Sequence, residues 1–499
     1  MPKFKSAKTL TKLCHRNIVT NMDRIWCADY RENYFEKNGP KFSFIDGPFN
    51  GLASSSVKEI LRYLVKLNRM SKVYLHLLIV PSLTEIDLKG AEKYVTDDIL
   101  DLICVRCSGL TEVLLTHCKR ASPGALVKLV RTFHNSLVRL CLTGTKLNNQ
   151  VLEAIGECPN LVYLQIGMTK FTRQGIESMF YSGKSKNVTP LGQSLQILRM
   201  MGCEFYEAKL FIADLLKRCK TLRCVTHFAL WESIVQICED KENPPHLKLT
   251  GVRYDMAMDL WNLRDHANII PRIPKCLPEI QHLSIYNVET MDMPLFHLLS
   301  GCGQTLRSLK LDWVFPYDFM LYVGLLCPKL DTLMLSLSET PCGRSCFCDV
   351  RKAFEDYISV NNLPLKGTKP WCNLKQFSIY WGPPDMYPVT VRATAILLDI
   401  FKASAPTLSY VYLHWMPDRD INDMLSIVLR EKYFENLTQL HLPGASHLTK
   451  NTVWELVYLP KLKHMDVTGC RLIHFSDYLE IGSHMQEANY SIIMELEGF

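Results

Sequence analysis

The sequence predicts an α/β solenoid, with a curved parallel sheet along one face, helices along the other and an amino-terminal helical segment ahead of both. Three observations predict it. A short apolar motif recurs along the chain, amphipathic stretches lie between its copies, and cysteines fall at fixed offsets from it. A single such unit cannot bury its own apolar face, so stacked copies must share one core.

The motif reads L-x-x-Φ-x-Φ. It occurs as "LTEIDL" (83–88), "LTEVLL" (110–115), "LVRLCL" (137–142), "LVYLQI" (161–166), "LQILRM" (195–200), "IQHLSI" (280–285), "LRSLKL" (306–311), "LDTLML" (330–335), "LKQFSI" (374–379), "LSYVYL" (408–413), "LTQLHL" (437–442) and "LKHMDV" (462–467). Several spacings are 24–29 residues, the period of leucine-rich repeats. Alternate apolar residues make each motif a short strand with one inward face. Stretches such as "DDILDLICVRC" (97–107) and "GALVKLVRTFH" (124–134) have helical periodicity and cover the other side. Between 195 and 280, "LRCVTH" (222–227) and "HLKLTGV" (246–252) read as degenerate units. The repeats are expected over 73–480, after a helical segment at 1–72 and before a cap or tail at 481–499.

Composition narrows the function classes. The 499 residues are 47% hydrophobic, enough for a large core. A net charge of +7 with no dense Lys/Arg block argues against a nucleic-acid partner. The longest apolar run, "VYLHLLIVPSL" (73–83), is too short to span a bilayer, so no membrane insertion is expected. Nineteen cysteines, an odd number, with no leader-like start at "MPKFKSAKTLTKLC", suggest reduced thiols and a cytoplasmic or nuclear setting. No G-x-S-x-G, H-E-x-x-H or phosphate-cradling glycine loop occurs, so no catalytic residue and no cofactor is assigned.

Cys118, Cys203 and Cys470 each sit eight residues after a leading Leu, and Cys107, Cys158, Cys219 and Cys327 each sit three before one. A small, weakly polar thiol suits tight interior positions at strand ends. This placement resembles the cysteine-containing subclass of leucine-rich repeats common in substrate receptors of ubiquitin ligases. Cys342, Cys346 and Cys348 in "CGRSCFC", with Cys327 or Cys372, lack the paired C-x-x-C spacing of structural zinc sites, and a reduced loop is expected there.

"TLTKLCHRNI" (9–18) stands outside the repeats. Leu10, Cys14 and Ile18 lie four apart and form one stripe on a helix, widened by Leu13. The stretch resembles the BC box, [S/T/P]-L-x-x-x-C-x-x-x-Φ, of cullin-ligase receptors. That resemblance implies that Thr9, Leu10, Cys14 and Ile18 bind elongin C, and with it elongin B, by a helix-in-groove mode. Without a partner, the same stripe would cap the first repeat.

The next amphipathic stretch, "GLASSSVKEILRYLVKLNRM" (51–70), has an apolar face of Val57, Ile60, Leu61, Leu64 and Leu67 behind three serines able to cap a helix. It resembles the cullin-2 box of the Von Hippel–Lindau-box type, which implies cullin contacts by Leu52, Val57, Ile60, Leu61 and Leu64. Ala53 stands where that family has proline, and no cullin-5 signature lies nearby. The stretch is also similar to an F-box opening, in which Ile60, Tyr63 and Leu64 would meet a Skp adaptor and cullin-1.

On the strands, residues two, four and six places after the leading Leu should face outward on the concave side. In later repeats these include His282, Tyr286, Met334, Tyr380, Tyr410, Tyr412, His414, His441 and His464, whereas earlier ones supply Glu85, Asp87, Arg139, Tyr163 and Arg199. Aromatic side chains dominate protein interfaces, so Tyr286, Tyr380, Tyr410, Tyr412 and His414 are expected to hold a protein substrate. Trp313, Trp381 and Trp415 are expected to pack at strand ends. The expected role is a substrate-recognition subunit of an elongin–cullin ubiquitin ligase, with a non-catalytic scaffold or inhibitor as the rival.

Overall fold

The computed structural model describes residues 9–35, 47–183, 187–239, 245–254, 272–285, 293–312, 318–336, 369–380, 392–414, 421–488, 490 and 492–495. The chain forms two compact units, one of residues 7–236 with 247–249 and one of residues 237–246 with 250–499.

The first unit opens with helices α1 (Leu10–Thr20), α2 (Ser54–Lys66) and α3 (Lys72–Leu78). Its sheet strands are β1 (Glu85–Asp87), β2 (Glu112–Leu114), β3 (Arg139–Cys141), β4 (Tyr163–Gln165), β7 (Ile197–Arg199) and β8 (Cys224–Thr226), parallel and in chain order. A small antiparallel hairpin, β5 (Tyr181–Ser182) with β6 (Asn187–Val188), interrupts the series.

The strands are short because each motif offers only three inward positions. Leu110, Val113 and Leu115 are fully buried, as are Leu137, Leu140 and Leu142 in the next repeat. Register puts Ile86, Val113, Leu140, Leu164, Leu198 and Val225 in one continuous apolar row. Returning helices start where the sequence supplies caps: Ser122 accepts from the Ala125 N–H ahead of Pro123, and Asn148 accepts from the Val151 N–H. Gly144 turns the chain after β3 with φ +67°, where any other residue would be strained and its Cβ, 2.3 Å from His117 Nδ1, would displace that ring.

The second unit repeats the plan with β9 (Gly251–Tyr254), β10 (His282–Ile285), β11 (Ser308–Asp312), β12 (Thr332–Ser336), β13 (Gln376–Tyr380), β14 (Tyr410–His414), β15 (Gln439–His441), β16 (His464–Asp466) and β17 (Ile493–Glu495), again parallel and sequential. Helices Arg392–Ser404, Ile421–Arg430 and Lys450–Val457 return between its later strands. Phe377, Phe401 and Phe434 thread the core edge to face, with centroids 5.9 and 5.0 Å apart. This is a leucine-rich-repeat α/β architecture.

The carboxy-terminal segment, which carries no readable motif, contributes structure. Helix Phe475–Glu487 runs across the expected boundary at 480, and β17 adds a strand beside β16.

The repeat cysteines are interior. Cys107, Cys118, Cys158, Cys203, Cys219, Cys327 and Cys470 are all buried. Burial pushes the thiols of Cys107, Cys118, Cys158, Cys219 and Cys470 up to about 12. Several donate to carbonyls of the preceding repeat, Cys203 to Ile166 O at 3.1 Å and Cys470 to Leu442 O at 3.2 Å. Each such thiol fills a tight corner and satisfies a carbonyl that the short strand leaves over. No described helix is long and apolar enough to cross a membrane.

Candidate functional site

Helix α1 begins where Thr9 Oγ1 accepts the Lys12 N–H at 3.3 Å. The hydroxyl residue heading the BC-box pattern is therefore the N-cap, satisfying a donor the first turn would otherwise leave open. Two stripes run along the helix. His15 and Val19 are buried, with Met22 continuing the line in the next turn. Leu10 is 77% exposed, Leu13 48% exposed and Cys14 exposed, while Ile18 is half-buried. At 100° per residue the two stripes lie about a third of a turn apart, so the helix anchors with one and leaves the other outward.

The anchoring is polar as well as apolar. Arg69 Nη1 donates to Val19 O at 3.2 Å and to Thr20 O at 3.4 Å, over the carbonyls that end α1. Asp23 collects Arg31 at 2.6 Å and Arg69 at 3.3 Å. A hydrogen bond from the Tyr74 hydroxyl, with help from both arginines, holds the Asp23 carboxyl below its ordinary value against the opposing effect of burial. Deeper in, Tyr30 Oη meets His76 Nδ1 at 3.2 Å, and Arg106 donates to His76 O at 2.6 Å and Ile79 O at 3.2 Å. Burial drives His76 down to about 4, so it is neutral near pH 7. The anchoring residues His15, Val19 and Met22 went unread in the sequence, although their i, i+4, i+7 spacing is a signal.

Helix α2 corrects the sequence reading. Val57, Ile60 and Leu64 are fully buried and Leu61 nearly so, with α1 packed against this helix and Leu52 half-buried at its start. The stripe assigned to a cullin is part of the chain's own core. The Skp-type reading meets the same obstacle, because Ile60 and Leu64 belong to that core. Such a stripe must cover the open end of a repeat stack, and α2 packs against the first strand.

The expected substrate face is in the second unit. Tyr380, Tyr410, Tyr412 and His414 are half-buried on outward positions of β13 and β14. Tyr380 lies 4.9 Å from Tyr412 and 5.9 Å from His414, centroid to centroid. His441 on β15 extends the cluster at 5.2 Å from Tyr410 and 5.6 Å from Tyr412, and His464 follows at 4.9 Å from His441. Burial, with Tyr380 and Asp466 nearby, pushes the Tyr412 hydroxyl up to about 12. Tyr286, Trp313, Trp381, Trp415, Cys342, Cys346 and Cys348 lie outside the described residues. Among the described residues no group of three or more His, Cys, Asp or Glu is disposed to hold a metal, and Cys327 is buried where Cys372 is exposed.

The outward strand residues of the first unit are charged instead. Arg139 lies over the Tyr163 ring at 4.6 Å and Arg199 over the same ring at 5.5 Å, with Glu112 3.9 Å from Arg139. Lys58 of α2 pairs with Glu85 of β1.

No protein-family model and no curated protein matches the chain. Solved structures similar to it include the Rad7 and Elc1 complex from yeast, at 16% identity and TM-score 0.43, covering 96% of this chain and 91% of that one. Another is an internalin (inlF) from Listeria monocytogenes, at 11% identity and TM-score 0.34, covering 81% of this chain and 89% of that one. Both are distant likenesses.

Proposed function

We propose that the chain is a substrate-recognition subunit of an elongin B/elongin C–cullin ubiquitin ligase, holding elongin C through α1 and a protein substrate through the ring cluster on β13–β15. One observation carries the reading: on a helix anchored by His15 and Val19, the stripe Leu10, Leu13 and Cys14 is left exposed. A capped helix fixed along one face and bare along another is organised to enter an apolar groove. Burying a leucine of this exposure contributes roughly 1.5–3 kcal/mol, enough to make Leu10 an anchor. Cys14, one turn on, is small enough to let two helices approach closely, and Ile18 extends the line.

The chain's part is to hold and orient. Cullin-2 enters through the elongin pair, since α2 has no free apolar stripe to offer it. Co-expression with elongins B and C followed by pull-down tests the proposal. The expected complex is lost in Leu10→Ala and in Cys14→Phe while the thermal melt stays near wild type. A wild-type chain that captures no elongin, or a complex that survives both changes, overturns it and leaves the scaffold reading.

A further inference from the structure

One register row of the second unit carries an ordered set of outward side chains. From β11 to β17 it reads Lys310, Met334, Ser378, Tyr412, His441, Asp466 and Glu495, each paired with the next. The row has an acidic end, an aromatic middle and a lysine at the far side. Tyr380, Tyr410 and His464 flank the middle, within 5.2 Å of Tyr412 or His441.

At the acidic end the carboxylates meet imidazoles of the ring cluster. His441 Nδ1 lies 3.4 Å from Asp466 Oδ2 and His464 Nε2 lies 2.9 Å from Glu495 Oε1. Among the described residues neither carboxylate meets a lysine or arginine, and both stand beside the rings. Burial opposes ionisation of Asp466, yet hydrogen bonds from His441 and Thr468 hold its carboxyl below the ordinary value. Ring faces carry negative potential and attract guanidinium and ammonium groups, the more so beside a carboxylate. Next to Tyr380, a depression of about 290 Å³ lined by Met334, Leu335 and Ser336 gives room for a neighbouring side chain, with Lys310 at its edge. Strands about 4.8 Å apart put roughly 24 Å between Lys310 and Asp466, the reach of about seven extended residues.

We infer that this row takes an extended peptide whose basic side chain, arginine above all, lies against Tyr412 and His441 and points at Asp466 and Glu495. The inference rests on the proposed role of this face in holding substrate and names the chemistry of what it holds. The whole chain carries a net charge of +7, so its long-range field favours polyanions and works against the effect.

The test uses the full chain without elongins and fluorescein-labelled nonapeptides of arginine, citrulline and glutamate, read by anisotropy. Nona-arginine is expected to bind about tenfold or more tighter than nona-citrulline. Tyr412→Leu and Asp466→Asn should each weaken it severalfold, Tyr412→Phe should retain it, and Leu10→Ala should leave it unchanged. Because Asp466 is nearly buried, the Phe and Leu variants at position 412 keep the test decisive should Asp466→Asn unfold. Equal affinity for citrulline, tighter binding of glutamate, or indifference to Tyr412→Leu overturns the inference. Elongin capture is read separately, so either proposal can fail alone.

Discussion

Helices α1 and α2 carry the same kind of apolar stripe, and the fold treats them in opposite ways. In α2 the stripe is Val57, Ile60, Leu61, Leu64 and Leu67, and all but Leu67 at its end is consumed in the chain's own core. In α1 the stripe is Leu10, Leu13, Cys14 and Ile18, and most of it faces water, because a second and less conspicuous stripe, His15 and Val19, does the anchoring. An amphipathic period therefore says that a helix face will be covered. What covers it depends on which face meets the end of the repeat stack first, and it is α2 that packs against β1.

The comparison can be broken most forcefully at α2. Leu64→Ala should cost about 2–5 kcal/mol of stability, read by urea denaturation, since it empties a fully packed site. A shift under about 0.5 kcal/mol, as for a surface residue, would return α2 to the candidate partner surface. Leu10→Ala should behave inversely, with capture of elongin C weakened by about 2 kcal/mol or more and stability nearly unchanged. Equal effects of the two substitutions on stability would erase the distinction.

Acid probes two buried histidines of the first unit, one in α3 and one among the repeats. His76 and, in the turn after β8, His227 are driven down to about 4 by burial. Their unfolded value is near 6.5, so between 6.5 and 4 the unfolded chain holds more protons and stability must fall as pH falls. The contribution is complete above pH 6.5 and erodes by about 1 kcal/mol per pH unit for each histidine below it. Urea midpoints at pH 7.5, 6 and 5 check this, and a flat profile would contradict the burial of both rings. The smallest effect is expected at the cap. Thr9→Ala should remove about 1 kcal/mol from the first turn of α1 and weaken capture severalfold, with Thr9→Ser restoring it.

Much of the fold was legible because the repeat states it many times. The leading leucines, the strand triplets and the helices near 97–107 and 124–134 all fall where the motif puts them, and even the degenerate "LRCVTH" forms β8. The eight-after and three-before cysteines were readable for the same reason, as small groups at recurrent corners. By contrast β17 was invisible, since "IME" has no leading leucine and gains its strand only by pairing with β16. Of the site, the ring cluster, His441 included, was legible from alternation alone, but Asp466 joins it through register, which sets it beside His441 25 residues away.

Local sequence, then, determined what local forces decide: the period, the strand faces, the Thr9 cap and the existence of two amphipathic helices. Tertiary structure alone decided which helix stripe is spent on the core, and which strand residues stand side by side. Both are competitions between distant surfaces for the same burial, and a hydrophobic face carries no direction that would name its partner.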